Sequence, residues 1–317
     1  MPSQITFIVV NFFTKQLIAD LIQSIFQCGE KVNLEVIVVD NTLEKQSCFK
    51  SEIENVKVHY TDKNIGFGSA CNIGAKLATS QNLVFINPDS IFFHPDSIRF
   101  LAESFDSFTN ETIFGGKILN EQRKPVCNTF TFSNFIQVYY QNSFRRALGI
   151  SLPFVTNQHS AFKADRCIEV DWISGAFLCI KKEFFLKLGG FDEQIFMYEE
   201  DAEFCYRARE QNGKVVFIPK IEIVHYGGLA SKVNNDLLSF IGFKSALYFY
   251  QKRYYGFKSW LLKQLIYFTW KMIYFQSIIF ALISPSFFAP KKRFWQNLVG
   301  FSKKFDKITA QEIINSL

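Results

Sequence analysis

Four short hydrophobic runs in the first ninety residues, with helix-patterned segments between them, leave few ways for this chain to fold. Ile5–Asn11 (ITFIVVN) and Leu34–Asp40 (LEVIVVD) are rich in β-branched residues and bounded by polar ones, the pattern of strands covered on both faces. Val56–Tyr60 is a third strand candidate, and Leu83–Asn87 (LVFIN) is a fourth. Thr14–Cys28 carries apolar side chains at Leu17, Leu21, Ile22 and Ile25, a helical period, and Phe67–Ala78 is a second helix. This alternation predicts an α/β fold: a Rossmann-like, doubly wound and mostly parallel sheet flanked by helices. Such sheets bind ligands beyond the C-terminal ends of their strands, where Asp40, Asn41, Asn87 and Asp89 all fall.

Further along, Asn120–Asp165 is weakly patterned and is expected to be a loop-rich insertion. Trp172–Ile180 is a strand candidate, followed by a helix over Lys182–Leu188 and a turn at Gly189–Gly190. Tyr198–Gln211 is helical, and Val215–Ile218 and Ile221–His225 are two short strands. At Leu237 the character changes, so the expected domains are 1–236 and a helical region over 237–317. Between Leu237 and Phe305 there are eleven Lys or Arg and no Asp or Glu, although the net charge of the whole chain is +6. The remainder is therefore about five units negative. Such asymmetry implies an acidic partner for the tail, either nucleic acid or an anionic membrane. The seven cysteines are odd in number and include no CxxC pair, which argues against a disulfide framework or a zinc cluster. The first apolar run is too short for a signal peptide, so a reduced, cytosolic setting is expected.

Several segments carry groups suited to chemistry, each with a plainer alternative. Asp40-Asn41 ends a strand, where a carboxylate can bond a ribose or simply begin a turn. Asn64-Ile65-Gly66-Phe67-Gly68 opens a helix whose free N–H groups suit a phosphate, although the glycines also suit close packing. Asn87-Pro88-Asp89-Ser90 can hold a divalent cation against a diphosphate, or form an Asx-Pro turn. Glu199-Glu200-Asp201 begins a helix, where the dipole favours an ionised base; a solvated acidic first turn is the alternative. His225 follows a strand and suits either a structural role or an imidazole ligand.

In this order the segments VVDN (38–41), NIGFGSACNIG (64–74), INPDS (86–90), WISGAFLCIKK (172–182), GGFDEQIFMYEEDAEFCYRARE (189–210) and IVHYGG (223–228) resemble the family 2 glycosyltransferases of GT-A fold. The rhamnosyltransferase-like bacterial branch is the most similar. The resemblance implies an inverting transfer from a nucleotide-diphosphate sugar, dTDP-rhamnose among the donors, to a glycan or lipid-linked acceptor in cell-surface polysaccharide or lipopolysaccharide synthesis. It implies that Asn11, Asp40 and Asn41 contact the nucleoside, and that Asn64, Gly66 and Asn72 border its pocket. Asp89 corresponds to the acidic residue of the family's metal motif, for Mg²⁺ or Mn²⁺, with Asn87 at the first position and His225 as a further ligand. Asp201 corresponds to the catalytic base, Glu200 to its neighbour that orients it or the acceptor, and Trp172, Ser174 and Gly175 to the acceptor side. Two departures stand out: Asn87 replaces the first Asp of the metal motif, and Glu203 replaces the usual Asp after the Glu-Asp pair.

The tail extends the expectation to a membrane. In Trp260–Ile283, Lys263, Gln264, Tyr267, Lys271 and Tyr274 share one third of the helical wheel, with Leu261, Leu265, Phe268, Met272 and Phe275 opposite. Pro285 is expected to stop the helix, and Lys291-Lys292-Arg293 beside Trp295 to add a basic flank. The pattern favours an in-plane helix on the cytoplasmic face over a spanning one, in which Lys263 and Lys271 would be buried in lipid. Two other classes remain open: a catalytically inactive relative acting as a scaffold, and a nucleic-acid-binding protein that uses the basic tail.

Overall fold

The computed structural model describes residues 4–42, 48–142, 157–227 and 235–283. Pro285, Lys291–Arg293, Trp295 and Gly228 lie outside the described residues. The chain divides into two compact units, Met1–Phe132 with Gln158–Ala230, and Ser133–Asn157 with Ser231–Leu317.

The first unit is built on one sheet. Strands β1 (Ile5–Asn11), β2 (Leu34–Asp40), β3 (Val56–Tyr60) and β4 (Asn82–Ile86) run parallel, in the order β3-β2-β1-β4. The sheet continues through β10 (Phe177–Lys181), β6 (Thr112–Leu119), β11 (Lys214–His225) and β5 (Ser90–Ile91), with β8 (Ile168–Glu169) also on β11. β6 and β11 are parallel, but β10 runs antiparallel to both β4 and β6. β5 and β8 are antiparallel to β11 as well, so the sheet is mixed beyond β4. The reason lies in where the chain re-enters. Phe177 lies opposite Ile86, at the C-terminal rim of β4, so β10 can only run back down the sheet.

Helices cover both faces. α1 (Lys15–Cys28) and α3 (Ser97–Ser107) pack on one, burying Leu21, Ile25, Leu101 and Phe105 against Phe7, Val36 and Val84. The other is covered by α2 (Phe67–Leu77), α5 (Lys182–Lys187) and α6 (Glu200–Glu210). Here Phe85, Phe185, Phe191 and Phe204 form one ring cluster with centroids 4.8–5.5 Å apart. That cluster takes up four of the 38 phenylalanines in the chain, and each buried ring contributes about 1.5–3 kcal/mol. A smaller two-stranded sheet pairs β7 (Thr129–Phe130) with β9 (Trp172–Ile173).

Three sequence expectations change in detail. The single strand over Trp172–Ile180 is β9 and β10, separated by a turn at Ser174-Gly175-Ala176 that Phe177 N closes onto Ser174 O at 3.2 Å. The two strands over Val215–Ile218 and Ile221–His225 are one strand, β11, with an irregularity between Ile218 and Glu222. The insertion over Asn120–Asp165 contains β7, a short 3₁₀ turn at Ser160–Lys163, and α4 (Phe135–Asn142), which belongs to the second unit.

That second unit packs α4 with α7 (Asn235–Arg253) and α8 (Phe257–Ile283) around Val138, Phe243, Leu247, Leu262, Ile266 and Trp270. Tyr139 and Thr269 share a 2.7 Å hydroxyl contact, and Arg253 donates to Ser133 O at 2.7 Å. No helix among the described residues is long and apolar enough to cross a membrane.

Candidate active site

Parallel register brings the first group of polar residues together. Asn11 pairs with Asp40 across β1 and β2, and Asp40 with Tyr60 across β2 and β3, so the strand ends finish level. Asn11 Nδ2 donates to Asp40 Oδ2 at 2.9 Å, while Asn11 Oδ1 accepts from Thr14 N and Thr14 Oγ1. Asp40 also accepts from Thr42 N at 2.8 Å and Phe49 N at 2.7 Å, and it is fully buried. Its carboxylate therefore faces protein donors and braces the chain beyond β2. Asn41 Nδ2 donates to Gly66 O and Asn41 Oδ1 accepts from Thr61 Oγ1, each at 3.0 Å.

Gly66 begins α2 with a φ of +86°, and a side chain there would run into the Phe196 carbonyl oxygen. Only glycine tolerates both demands. Asn64 Oδ1 accepts from Gly66 N at 3.1 Å, and Phe67 N donates to Phe196 O at 2.9 Å, so the start of α2 is fastened to the segment leading into α6. Asn72, five residues on, is buried and occupied with the chain before α6: it donates to Phe191 O at 2.9 Å and accepts from Phe191 N at 2.8 Å.

A second group forms where β4 and β11 end. His225 Nε2 lies 3.0 Å from Asp89 Oδ1 and 3.3 Å from Asn87 Nδ2. One ring nitrogen cannot donate to the carboxylate and accept from the amide at once. Pairing of β11 with β5 sets this approach, since His225 sits opposite Ser90, and Tyr226 N donates to Asp89 O at 2.9 Å. Among the described residues no group of three or more His, Cys, Asp or Glu side chains has the spacing of a metal cage.

The third group surrounds Asp201 at the start of α6. Asp201 Oδ2 accepts from Gly175 N at 2.8 Å, and Oδ1 accepts from Ala202 N at 2.8 Å. Burial raises the Asp201 pKa above the ordinary carboxylate value, while those two N–H groups pull it back. Glu200 is 7% exposed, and its Oε2 is buried without a hydrogen-bond partner. Burial, then the charges of Asp201 and Glu199, push its pKa well above the usual range. Glu199 is raised to about 7, first by burial and then by Asp201. Tyr198 and Glu199 both adopt left-handed backbone, with φ of +67° and +66°, so α6 starts at Glu200 rather than at Tyr198. Two consecutive strained residues beside buried acids are a feature of functional sites.

Consecutive bonds connect the second and third groups: Asn87 N donates to Ala176 O at 3.0 Å, one residue from the Gly175 N that holds Asp201. Ser174 Oγ accepts from Ala176 N at 3.3 Å, and Trp172 stacks on Phe130 at 4.1 Å while donating to Thr131 O. Glu203 accepts both Nε and Nη2 of Arg207 at 2.8–2.9 Å, and Arg207 also reaches Leu188 O and Gly190 O. The longer Glu in place of Asp spans the four residues to this arginine.

Sequence reasoning passed over some of these residues. Thr42 Oγ1 accepts from both Asn11 Nδ2 and Phe13 N. Phe12 and Phe13 stand exposed just past β1, with rings 4.8 Å apart and Phe13 in left-handed backbone. Their signal was two aromatics placed directly after a strand, where no core remains to receive them. Arg207 was visible only as the i+4 partner of Glu203.

A family model described as "Glycosyltransferase like family 2" matches residues 2–236. The chain is 26% identical over 231 residues to the low-salt glycan biosynthesis hexosyltransferase Agl10 of Haloferax volcanii, covering 71% of this chain and 68% of Agl10. A shorter match, 37% over 57 residues, is to the N-acetylglucosaminyl-diphospho-decaprenol L-rhamnosyltransferase of Mycobacterium tuberculosis, covering 18% of this chain and 19% of that protein. The fold is similar to that of the mannosyltransferase PcManGT from Pyrobaculum calidifontis, solved with GDP-Man and Mn²⁺. Its TM-score is 0.51 at 12% identity, covering 96% of this chain and 88% of PcManGT. The architecture is the mixed α/β arrangement of GT-A glycosyltransferases, and with the family match spanning residues 2–236 the chain belongs to the family 2 glycosyltransferases.

Proposed function

We propose that this glycosyltransferase inverts configuration in a single displacement, moving a sugar from a nucleotide-diphosphate donor to a hydroxyl of a glycan or lipid-linked acceptor. The process it serves is cell-surface polysaccharide or lipopolysaccharide assembly. The observation that carries this is the setting of Asp201, held at a helix start by the Gly175 N–H and facing the turn that carries Ser174. As base, Asp201 takes the proton of the acceptor hydroxyl. The new bond from that oxygen to the anomeric carbon forms as the bond to the diphosphate oxygen breaks, and the nucleoside diphosphate leaves. A pKa raised by burial brings the carboxylate nearer working pH, which suits a general base.

Asp89 and His225 fit a divalent cation, because Asp89 Oδ1 and His225 Nε2 are 3.0 Å apart, and a cation held between them would be met by the Nε2 lone pair and the carboxylate with no proton needed between the two. Mg²⁺ or Mn²⁺ there would offset charge on the departing diphosphate. Thr42, Asn41 and the exposed Phe12–Phe13 pair form the nucleoside side, with Asp40 and Asn72 as braces behind it. Trp172, Ser174 and Gly175 form the acceptor side. The rhamnosyltransferase relative makes dTDP-rhamnose the first donor to test, with UDP-hexoses next.

The work takes place at the cytoplasmic face of a membrane, where the protein is peripheral, and the lysine-rich stretch Leu237–Phe305, which has no Asp or Glu, supports an anionic lipid surface rather than nucleic acid as its partner. Asp201→Asn is expected to abolish transfer while leaving nucleotide affinity within about threefold, since about 1 RT of binding change is all a remote neutralisation should cost. Released nucleotide and a nucleotide titration measure the two, and normal turnover by the variant would remove the assigned base.

A further inference from the structure

α8 is apolar on two opposite faces, and only one of them is covered. Leu262, Ile266, Thr269 and Trp270 are buried against the rest of their unit, and these positions lie on one side of the helix. On the other side Phe257, Trp260, Phe268, Met272, Phe275 and Ile279 are 48–70% exposed. At about 100° per residue these six fall within an arc of roughly 120°, and at about 1.5 Å per residue they extend roughly 33 Å. This differs from the amphipathic division expected from sequence, which set Leu261 and Leu265 with Phe268 against a lysine face. Apolar residues occupy both sides of α8, so periodicity alone could not tell the packed side from the open one.

We infer that the open stripe of α8 is the surface by which the protein lies in the headgroup region of an anionic bilayer, with the helix parallel to the membrane plane. This rests on the membrane-bound reading of the function and names the face that makes contact. The choice of lipid over a second copy or a soluble partner follows from charge. Between Leu237 and Ile283 the only ionised side chains are Lys244, Lys252, Arg253, Lys258, Lys263 and Lys271. On the same wheel Lys258 and Lys263 flank the stripe on either side, and Lys271 lies within it. Lysines placed so can extend to lipid phosphates while the aromatic rings enter the acyl boundary. A homotypic interface would instead bring these cations against each other with no acid on either side to pair them. Among the described residues α8 is not long and apolar enough to cross a membrane.

The test is flotation of the full chain with vesicles of phosphatidylcholine alone or with phosphatidylglycerol added, alongside Phe268→Ala/Phe275→Ala and Lys258→Gln/Lys263→Gln double variants. Wild type is expected to float with anionic vesicles and to leave neutral ones at least tenfold more readily. The Phe pair should weaken binding to both vesicle types by about a hundredfold, at about tenfold per ring removed from the boundary. The Lys pair should weaken only the anionic case. Turnover of donor with a water-soluble acceptor should be unchanged in every variant, which separates lost docking from lost folding. Wild type that binds no vesicle overturns the membrane reading itself. Equal binding by wild type and the Phe variant overturns the stripe alone, and so does a dimer in sedimentation that the Phe variant dissolves without any vesicle binding.

Discussion

Arg207→Lys isolates what the Glu203 pair does for the site. Arg207 reaches both Glu203 oxygens and two carbonyls, Leu188 O and Gly190 O, from one guanidinium. A lysine can still meet Glu203 one helical turn away, but its single ammonium cannot also hold two carbonyls on the Gly189–Gly190 turn. Two charge-assisted bonds are lost, and Arg207 is a quarter exposed, so water replaces part of each. Taking about 1–1.5 kcal/mol per bond gives a loss of about 2–3 kcal/mol. In a body of roughly 200 residues that corresponds to a fall in Tm of about 5–10 °C. Thermal unfolding of wild type and variant under identical conditions measures it. A double-mutant cycle with Glu203→Gln then separates the ion pair from the carbonyl anchors, since only the anchors persist when Glu203 is neutral. If Arg207→Lys shifts Tm by no more than 1–2 °C, contrary to the ~5 °C minimum expected, the turn is held by something else and Glu203 has no such role.

Gly66→Ala combines a left-handed backbone with a clash at the Phe196 carbonyl, so it should cost at least about 2 kcal/mol and weaken nucleotide binding, both readable from one thermal titration with nucleotide. Glu199 has a folded pKa of about 7 against an ordinary value of 4.5. Its favourable contribution is therefore intact below pH ~4.5 and lost as pH rises through about 7. Glu199→Gln should leave the unfolding free energy unchanged at pH ~4.5 and raise it at pH ~8, by no more than about 3 kcal/mol given partial solvent screening, as unfolding curves at the two pH values would show; a difference that does not grow with pH contradicts the burial argument. Removal of divalent cations with EDTA should abolish transfer, with restoration by Mn²⁺ or Mg²⁺, and His225→Ala should raise the metal concentration needed; full activity in EDTA would show that the Asp89–His225 pair works without a cation.

The parallel half of the sheet was legible because each strand is a short β-branched run with a polar end, and the helices between have clear apolar spacing. β6 was missed because Gly115 and Gly116 interrupt it. Those glycines are there because Ile173 and Phe177 O crowd the first position and the Ile221 backbone crowds the second, a cause no local pattern contains. The turn inside Trp172–Ile180 was hidden for a similar reason, since a continuous apolar run does not reveal where the chain leaves one sheet and joins another. At the candidate site, residue types marked which strand ends carry polar side chains, but not which way a side chain faces. Asp40 and Asn72 looked like ligand contacts and are turned toward Phe49 N and Phe191. Asp89 and His225, 136 residues apart in the chain, meet through the pairing of β5 with β11, which sequence spacing does not encode.

The turn between β9 and β10 ties together mechanically the two halves of the proposed chemistry. Gly175 grips Asp201 while its neighbour Ala176 grips Asn87, so displacement of these few atoms shifts the proposed base and the proposed diphosphate side in concert. The β7–β9 ribbon leading into the turn has no such double duty. On the proposed mechanism, variation at Phe130 or Trp172 would reshape which hydroxyl compounds are admitted while the alignment of bond making with bond breaking stays constant.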